Sequence, residues 1–487
     1  MDWLAASESW WGRVVLERGI AAVYVVAFLS AALQFRGLLG SNGLTPVPKF
    51  LERSTFRTSP SIFHLHYSDR FFGCVCWSGV AVSAAMVTGL ADLVPLWGAM
   101  ALWLGLWVAY LSIVNVGQVW YSFGWESLLL EAGFLAVFLG NDETAPPLPV
   151  LILACWLLFR VEFGAGMIKI RGDRCWRDLT CLDYHHETQP MPGPLSWFFH
   201  RMPKPLHRVE VAGNHVAQLL IPFGLFAPQP VAGIAAAIIV VTQLWLVASG
   251  NFAWLNWLTI VLACSVIDDA TYGWTRPAHA PSTVPGWFGV AVLAFTVLVV
   301  VLSWRPARNL LSRRQRMNST FDPLHLVNSY GAFGSVGKIR HEVVFEGTSD
   351  TVVDQHTEWR EYGFKGKPGD VTRAPRQWSP YHLRLDWLMW FAAVSPSYAR
   401  PWIGALCAGM LSNDHDIVKL LHHNPFPDHP PEWVRAVLYR YRFTTWEELH
   451  RTRAWWHRER VGEYLAPVFS GVSGRATQSG DDTDRRK

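Results

Sequence analysis

Apolar runs long enough to cross a membrane recur along the first 304 residues and limit the fold more than any other feature. A helix needs about 20 consecutive apolar residues to span a bilayer, and shorter runs suffice when the helix is tilted or buried. The runs lie at residues 20–39, 71–94, 96–114, 119–139, 148–170, 209–226, 231–247, 252–267 and 287–304. Hydrophobic residues make up 51% of the chain, and its 27 tryptophans favour membrane interfaces. The pattern predicts a polytopic α-helical membrane domain of about nine helices at residues 1–304.

The part of the chain after residue 304 is typical of a soluble domain that follows a basic linker at residues 305–316. Alternation of apolar and polar residues, the pattern of a half-buried strand, supports several strands here. The predicted strands are residues 341–345, 358–365, 382–387 and 433–443. A helix is predicted from Asn413 to His422. Residues 317–467 are therefore expected to form a strand-rich α+β domain, and residues 468–487 a disordered polar tail.

A dense polar segment at residues 171–208 interrupts the membrane domain and is predicted to be a folded loop. It follows an apolar run that itself carries Arg160, Glu162 and Lys169. Ionisable residues inside a membrane span are costly unless they are paired, so they mark a site. A long loop rich in aromatic and titratable residues is usually structured and functional. The functional candidates in the loop are Asp173, Trp176, Asp178, Thr180, Tyr184 and Gln189.

Two further carboxylates, Glu126 and Glu131, lie in the apolar run at residues 119–139. Buried carboxylates near a buried lysine and a buried arginine predict ion pairs between helices. Such pairs either fix the register of the helices or form a reactive site, and the sequence leaves both interpretations open. Lys169 is expected to be buried and to bind a carboxylate, with Glu162 or Asp173 as the candidate partner.

Positive charge is unevenly divided between the two ends of the predicted helices. Five Lys and Arg residues lie in residues 34–70, six in 171–208 and five in 305–316, whereas the opposite end carries three. The positive-inside rule then places the polar loop and the C-terminal domain in the cytoplasm. Cys175 and Cys181 would be reduced there, but they could form a disulfide if the loop faced an oxidising compartment.

Three stretches of the sequence resemble the lipase maturation factor family. They are GDRCWRDLTCLDYHHETQPMPGPLSWFFH at residues 172–200, SGNFAWLNWLTIVLACSVIDDA at 249–270 and KPGDVTRAPRQWSPYHLRLDWLMWFAA at 367–393. The resemblance extends over residues 120–467 and implies a membrane protein that helps a secreted lipase or similar hydrolase reach its active form. The implied partners are that client and membrane lipid. The implied location is the endoplasmic reticulum membrane in a eukaryote, with the C-terminal domain in the lumen, and the cell membrane in a bacterium.

The stretch GAGMIK, which ends at Lys169, is similar to a pattern in the vitamin K-dependent carboxylases. That similarity implies a membrane-embedded enzyme with Lys169 as the catalytic base and a lipid or quinone-like cofactor. The region of Glu126, where that family's catalytic histidine is expected, has a carboxylate instead, which argues against carboxylation itself. His185, His186 and Glu187 are further candidates for acid–base chemistry. Adjacent residues rarely converge on one ion, so no metal site is predicted.

Three functional interpretations follow from these patterns, and a transporter is the weakest of them because the charges concentrate in one loop rather than along a path. The leading one is a maturation factor that has neither catalysis nor a cofactor of its own. The alternative is a membrane-embedded enzyme that acts on an apolar cofactor or a lipid. The sequence has no GxSxG, P-loop or dinucleotide-binding motif. A net charge of +4, with no basic block among aromatic residues, excludes nucleic acid as a partner.

Overall fold

The computed structural model describes residues 1–275, 277, 278 and 280–469, and the chain divides into two compact units. The first unit comprises Met1–Leu33, Leu51–Lys338 and Gln377–His382, and the second comprises Gln34–Phe50, Ile339–Arg376 and the chain from Leu383 onward. This division differs from the linear boundary predicted at residues 305–316. Each unit includes a short segment from a distant part of the sequence. This segment is Gln377–His382 in the first unit and Gln34–Phe50 in the second.

Helices dominate the chain up to residue 311. In chain order they are α1 (Trp10–Leu39), α2 (Val47–Leu51), α3 (Asp69–Val87), α4 (Leu96–Val116), α5 (Gly124–Ala136), α6 (Leu148–Arg171), α7 (Arg174–Arg177), α8 (Leu182–Thr188), α9 (Ser196–His200), α10 (Lys204–Leu219), α11 (Val231–Ser249), α12 (Leu255–Cys264), α13 (Asp269–Tyr272), α14 (Gly286–Leu302) and α15 (Trp304–Leu311). Each predicted apolar run overlaps one of the longer helices. In the described part of the chain, seven helical segments are long and apolar enough to cross a membrane, and α12 is a shorter apolar helix. The prediction of a polytopic helical membrane protein is confirmed.

Buried charges hold the end of the bundle at which α1 and α6 begin. Arg13 is buried and contacts Glu17 at 3.3 Å, Asp92 at 3.5 Å and Asp142 at 3.0 Å. Asp269 accepts hydrogen bonds from the first two backbone amides of α1, at 3.1 and 2.8 Å. These carboxylates satisfy a helix N-terminus and an arginine that would otherwise be costly to bury. The polar loop follows the other end of α6, about 36 Å away.

The second unit is built on a small antiparallel sheet. Its elements are β1 (Arg340–Thr348), β2 (Arg360–Glu361), α16 (Arg384–Val394), α17 (Ile403–Leu411), α18 (His415–Val418), β3 (Trp433–Phe443), α19 (Trp446–Thr452) and β4 (Trp456–Phe469). The strand order is β2-β1-β3-β4. The predicted strands at residues 341–345 and 433–443 are confirmed as β1 and β3, and the C-terminal α+β domain is confirmed with them.

The strand predicted at residues 382–387 is wrong, because most of this segment lies in helix α16. The six residues alternate in polarity, but every residue from Arg384 to Met389 is buried on α16, so the polar and the apolar residues of this segment both lie inside the protein. A run of six residues is too short for alternation to exclude a helix.

Three other elements of the second unit differ from the predictions. The strand expected at residues 358–365 is reduced to the two residues of β2, and the helix expected from Asn413 to His422 is reduced to α18. Asp414, rather than Asn413, caps α18. The sequence reasoning missed β4, which runs through Phe469 into the predicted tail. The remainder of that tail, residues 470–487, lies outside the described residues.

The KPGD turn at residues 367–370 is part of the core of the second unit. The Nζ atom of Lys367 lies 3.0 Å from Glu342, which also accepts a hydrogen bond from Arg340 at 2.8 Å. Asp386 of α16 accepts hydrogen bonds from the backbone amides of Gly366 at 2.6 Å and Lys367 at 3.1 Å. Burial raises the pKa of Asp386, and these two hydrogen bonds oppose that rise. The turn therefore joins a strand to a helix through buried charge.

Candidate functional site

The central polar loop is a compact structure built around one tryptophan. Helices α7 and α8 pack Trp176 against Cys181 and against Val211 of α10. The indole Nε1 of Trp176 donates a hydrogen bond to the carbonyl of Phe333 at 2.8 Å. A disulfide joins Cys175 to Cys181. The loop is therefore held by aromatic packing, a covalent bond and a hydrogen bond to a distant part of the chain.

The other loop residues singled out from the sequence have local structural partners. Asp173 accepts a hydrogen bond from the backbone amide of Val336 at 2.8 Å. Asp178 is exposed and pairs with the arginine four residues before it at 3.1 Å. Thr180 and Tyr184 take part in the turns of α7 and α8 through their backbones. These contacts describe the scaffold of a loop rather than a set of converging reactive groups.

All three stretches that carry the family resemblance meet at Asn251, a side chain only 1% exposed in the connection between α11 and α12. Its Oδ1 atom accepts hydrogen bonds from the backbone amides of Trp378 at 2.6 Å and Ser379 at 2.8 Å. Its Nδ2 atom donates to the carbonyls of Met191 at 3.3 Å and Pro192 at 3.2 Å. One side chain thus joins the exit of the polar loop to a segment 127 residues further along the chain.

Gln189 also joins the polar loop to the connection between α11 and α12, and the contacts of Asn251 and Gln189 together are called the junction. Its Nε2 atom donates to the carbonyl of Ser249 at 2.8 Å, to the hydroxyl of Ser196 at 3.0 Å and to the carbonyl of His186 at 3.1 Å. The Ser196 hydroxyl in turn donates to the carbonyl of Ser249 at 2.7 Å. Buried networks in which each group has a partner hold one arrangement of the chain. Of the residues in this junction, the sequence reasoning identified Gln189 and His186.

Lys169 is buried as predicted, at 5% exposure, but its partners are amides rather than a carboxylate. Its Nζ atom donates to the Oε1 atom of Gln218 at 2.9 Å and to the Oδ1 atom of Asn214 at 3.4 Å. The predicted pairing with Glu162 or Asp173 is therefore wrong. Glu162 lies seven residues earlier on α6, about 10 Å along the helix axis, and its charge acts on Lys169 through space rather than through a direct ion pair. Gln218 bridges the two, since its side chain also hydrogen-bonds Glu162.

This bridge belongs to a longer intramembrane polar chain. Gln243 of α11 donates to the Oε1 atom of Glu162 at 2.6 Å, and Asn256 of α12 donates to Gln243 at 2.6 Å. The intramembrane polar chain consists of Asn256, Gln243, Glu162, Gln218, Asn214 and Lys169, from four different helices. Hydrogen bonds between polar side chains join helices within a membrane, where lipid offers no competing partners. Its geometry fits a structural tie between helices.

Helix α10 supplies a polar stripe that the sequence reasoning missed. Its residues are His207, Glu210, Asn214 and Gln218. Spacings of three and four residues place them on one face of the helix. The opposite face exposes Leu206, Val209 and Val216. A signal was available, because a membrane helix that turns a polar stripe inward shows this spacing within an apolar run.

The adjacent candidates His185, His186 and Glu187 point to different neighbours, because successive residues of a helix are rotated by about 100°. His186 lies 3.8 Å from Glu210, and Glu187 lies 3.5 Å from His200. His185 packs against aromatic rings, and burial lowers its pKa to about 3. In the described part of the chain, no three His, Cys, Asp or Glu side chains are grouped to hold a metal ion.

The two carboxylates of α5 have different partners. Glu131 forms a buried ion pair with Arg160 of α6. Glu131 also accepts a hydrogen bond from the hydroxyl of Tyr330 at 2.7 Å, and Arg160 donates to the carbonyl of Asn328 at 2.6 Å.

Glu126 has other partners. It accepts a hydrogen bond from the hydroxyl of Tyr110 in α4 and lies 3.7 Å from the imidazole of His382. The two carboxylates of α5 therefore join this helix to α4 and α6 and to the residues at positions 330 and 382.

Taken with the bundle, these contacts define a class of protein: a polytopic helical membrane protein with a folded extramembrane loop and a C-terminal α+β unit. A family model described as the lipase maturation factor transmembrane domain matches residues 11–274, and one described as the lipase maturation factor C-terminal domain matches residues 326–466. The chain belongs to the lipase maturation factor family.

Individual relatives match over most of their own length. Lipase maturation factor 1 of Bos taurus is 42% identical, over 96% of this chain and 90% of that protein. The Homo sapiens protein of the same name is also 42% identical, over 94% of this chain and 88% of that protein. Lipase maturation factor 2 of Mus musculus is 28% identical, over 93% of this chain and 82% of that protein. No solved structure matches the chain.

Proposed function

We propose that this chain assists the folding, assembly or export of a secreted lipase or a similar hydrolase from within the membrane that it spans. The observation that supports this most is 42% identity with proteins named lipase maturation factor 1 across nearly the whole chain. Both units are included in that similarity, so it is not limited to a shared membrane fold. The client is the finer part of the proposal and rests on those names.

The geometry of the site supports a scaffold for such a client rather than a catalytic centre. Lys169 is engaged by two amide oxygens, and its near neighbours form the intramembrane polar chain. The residues that carry the family resemblance are used to join the loop, the connection between α11 and α12, and residues 377–382. A rigid junction of this kind presents a fixed surface, which suits recognition of a folding intermediate.

The Cys175–Cys181 disulfide supports a location on the secretory side of the membrane. Disulfides persist in oxidising compartments and are rare in the cytosol. The polar loop would then face the lumen of the endoplasmic reticulum in a eukaryote or the outside of the cell membrane in a bacterium. This is the reverse of the orientation that the positive-inside rule predicts, but charges within a folded loop also serve its structure.

Deletion of the gene in its own host tests the proposal. We expect the secreted activity of a client lipase to fall, measured per unit of lipase protein, while the lipase transcript is unchanged. Re-expression of the wild-type chain should restore the activity, as should a matched control variant with Asn42→Ala at an exposed position. If no secreted lipase of the host loses activity in the deletion strain, the assignment of a lipase client is wrong.

The variant Lys169→Arg separates a structural lysine from a reactive one. Arginine keeps the positive charge and the hydrogen-bond donors but does not give up its proton at neutral pH. We expect lipase maturation to follow the abundance of this variant in the membrane, because Lys169 serves to bind Asn214 and Gln218. Normal abundance together with lost maturation would show instead that the amine itself takes part in chemistry.

A further inference from the structure

An arginine-rich segment lies where the last candidate membrane span ends. We call this segment, which comprises α15 and the turn after it (residues 304–316), the arginine collar. Its five arginines are all exposed, and they are Arg305, Arg308, Arg313, Arg314 and Arg316. The neighbouring Arg171, at the end of α6, binds the collar directly, so the collar lies at the same end of the bundle as the central polar loop.

The charge of the arginine collar is not neutralised within the protein. In the described part of the chain, no carboxylate lies within 4.0 Å of any of the five guanidinium groups. Some other arginines of this chain differ in this respect: Arg13, Arg160 and Arg458 each have a carboxylate partner. Five like charges within twelve residues repel one another, and an external anion would relieve that repulsion.

The collar is nevertheless held in one conformation. The guanidinium of Arg171 donates to the carbonyl of Leu310 and to the side chain of Gln315, both at 2.8 Å. Gln315 donates to the carbonyl of Gly164 at 3.1 Å. The side chain of Asn309 both donates to and accepts from the backbone of residue 316, at 3.0 and 2.9 Å. The arginines are therefore presented from a turn that is fastened to a membrane helix.

Apolar side chains beside the arginines indicate the depth of the collar in the membrane. Trp304 is 71% exposed and Leu311 is 82% exposed. The outward face of α14 before them is apolar and exposed at Val297, Val300 and Val301. An exposed apolar face on a spanning helix contacts lipid, and tryptophan is enriched at the level of the headgroups. The five arginines accordingly lie at headgroup level.

We propose that the arginine collar binds the headgroups of anionic phospholipids. The guanidinium group donates two parallel hydrogen bonds that match a phosphate oxygen pair. Each basic residue close to an anionic membrane surface strengthens binding about fivefold. A peptide of acidic residues would also complement the charge, but the exposed Trp304 and Leu311 on the same segment favour a lipid surface. This site does not depend on the identity of the client.

Native mass spectrometry of the full-length protein in neutral detergent tests the proposal. The protein is equilibrated with equimolar phosphatidylglycerol and phosphatidylcholine, and the two bound populations are counted. We expect a preference for phosphatidylglycerol that falls about tenfold or more in a variant with Arg313→Gln, Arg314→Gln and Arg316→Gln. The same three positions changed to lysine should keep most of the preference, since the charge is retained.

A matched control removes the same charge elsewhere. It changes three exposed arginines of the second unit to glutamine, namely Arg400, Arg451 and Arg460. We expect this control to keep the wild-type preference. An unchanged preference in the collar variant would overturn the proposal, as would an equal loss in the control. Saturation by inorganic phosphate alone, or by a polyglutamate peptide without any preference for phosphatidylglycerol, would also overturn it, because the site would then bind a free anion or a peptide.

Discussion

Replacing Asn251 by alanine should release the junction at which the polar loop, the connection between α11 and α12, and residues 377–382 meet. The change removes four side-chain hydrogen bonds. The backbone amides of Trp378 and Ser379 lose the acceptor that they share at 2.6 and 2.8 Å. A buried donor left without a partner costs about 1–3 kcal/mol, so these two amides alone should lower the free energy of unfolding by roughly 2–6 kcal/mol.

Thermal unfolding of the purified protein in detergent measures this loss. The folded fraction that survives stepwise heating is read by size-exclusion chromatography, and the midpoint should fall by roughly 2–6 °C. The control is Asn42→Ala, which changes the same residue type at an exposed position. Equal midpoints for the two variants would refute the reasoning. The backbone hydrogen bond from Asn251 to Met191, at 3.1 Å, would then be sufficient to hold the junction.

Three further changes probe charge, pH and the disulfide. Arg160→Met should cost about 3–5 kcal/mol because it leaves the buried carboxylate of Glu131 unpaired, and adding Glu131→Gln should recover part of that loss in the same heating assay. Burial holds the pKa of His185 at about 3, below its ordinary 6.5, so the unfolded chain takes up the proton first as the pH falls. The protein should therefore have its full stability above pH 6.5 and lose about 1.4 kcal/mol through this imidazole at pH 5.5. His185→Gln should reduce that pH dependence, and an unchanged profile would contradict the role of burial. Reduction of the Cys175–Cys181 disulfide should cost about 2 kcal/mol of loop-closure entropy. A maleimide should add mass at these two thiols only after reduction, whereas labelling without a reductant would place the loop in a reducing compartment.

The positions of the membrane helices were determined by the sequence alone. A run of about 20 apolar residues has no stable conformation in a bilayer other than a helix, because each backbone polar group must be satisfied within the segment. The same solvent argument predicts that Arg160 and Lys169 are buried among protein groups rather than exposed to lipid. Strand β3 was also accessible, since alternation over its 11 residues is a local property, whereas β1 is buried along nearly its whole length and shows no alternation.

The partners of those buried groups were decided only by the tertiary structure. Asn251 joins backbone groups about 60 residues before it and 127 residues after it, and no local pattern encodes which carbonyl or amide it meets. Lys169 binds amides of α10 because that helix, and not the next turn of α6, packs against it. Secondary structure follows from short-range polarity and the surrounding solvent. The pairing of polar groups depends on which helices come together, and that is a property of the whole chain.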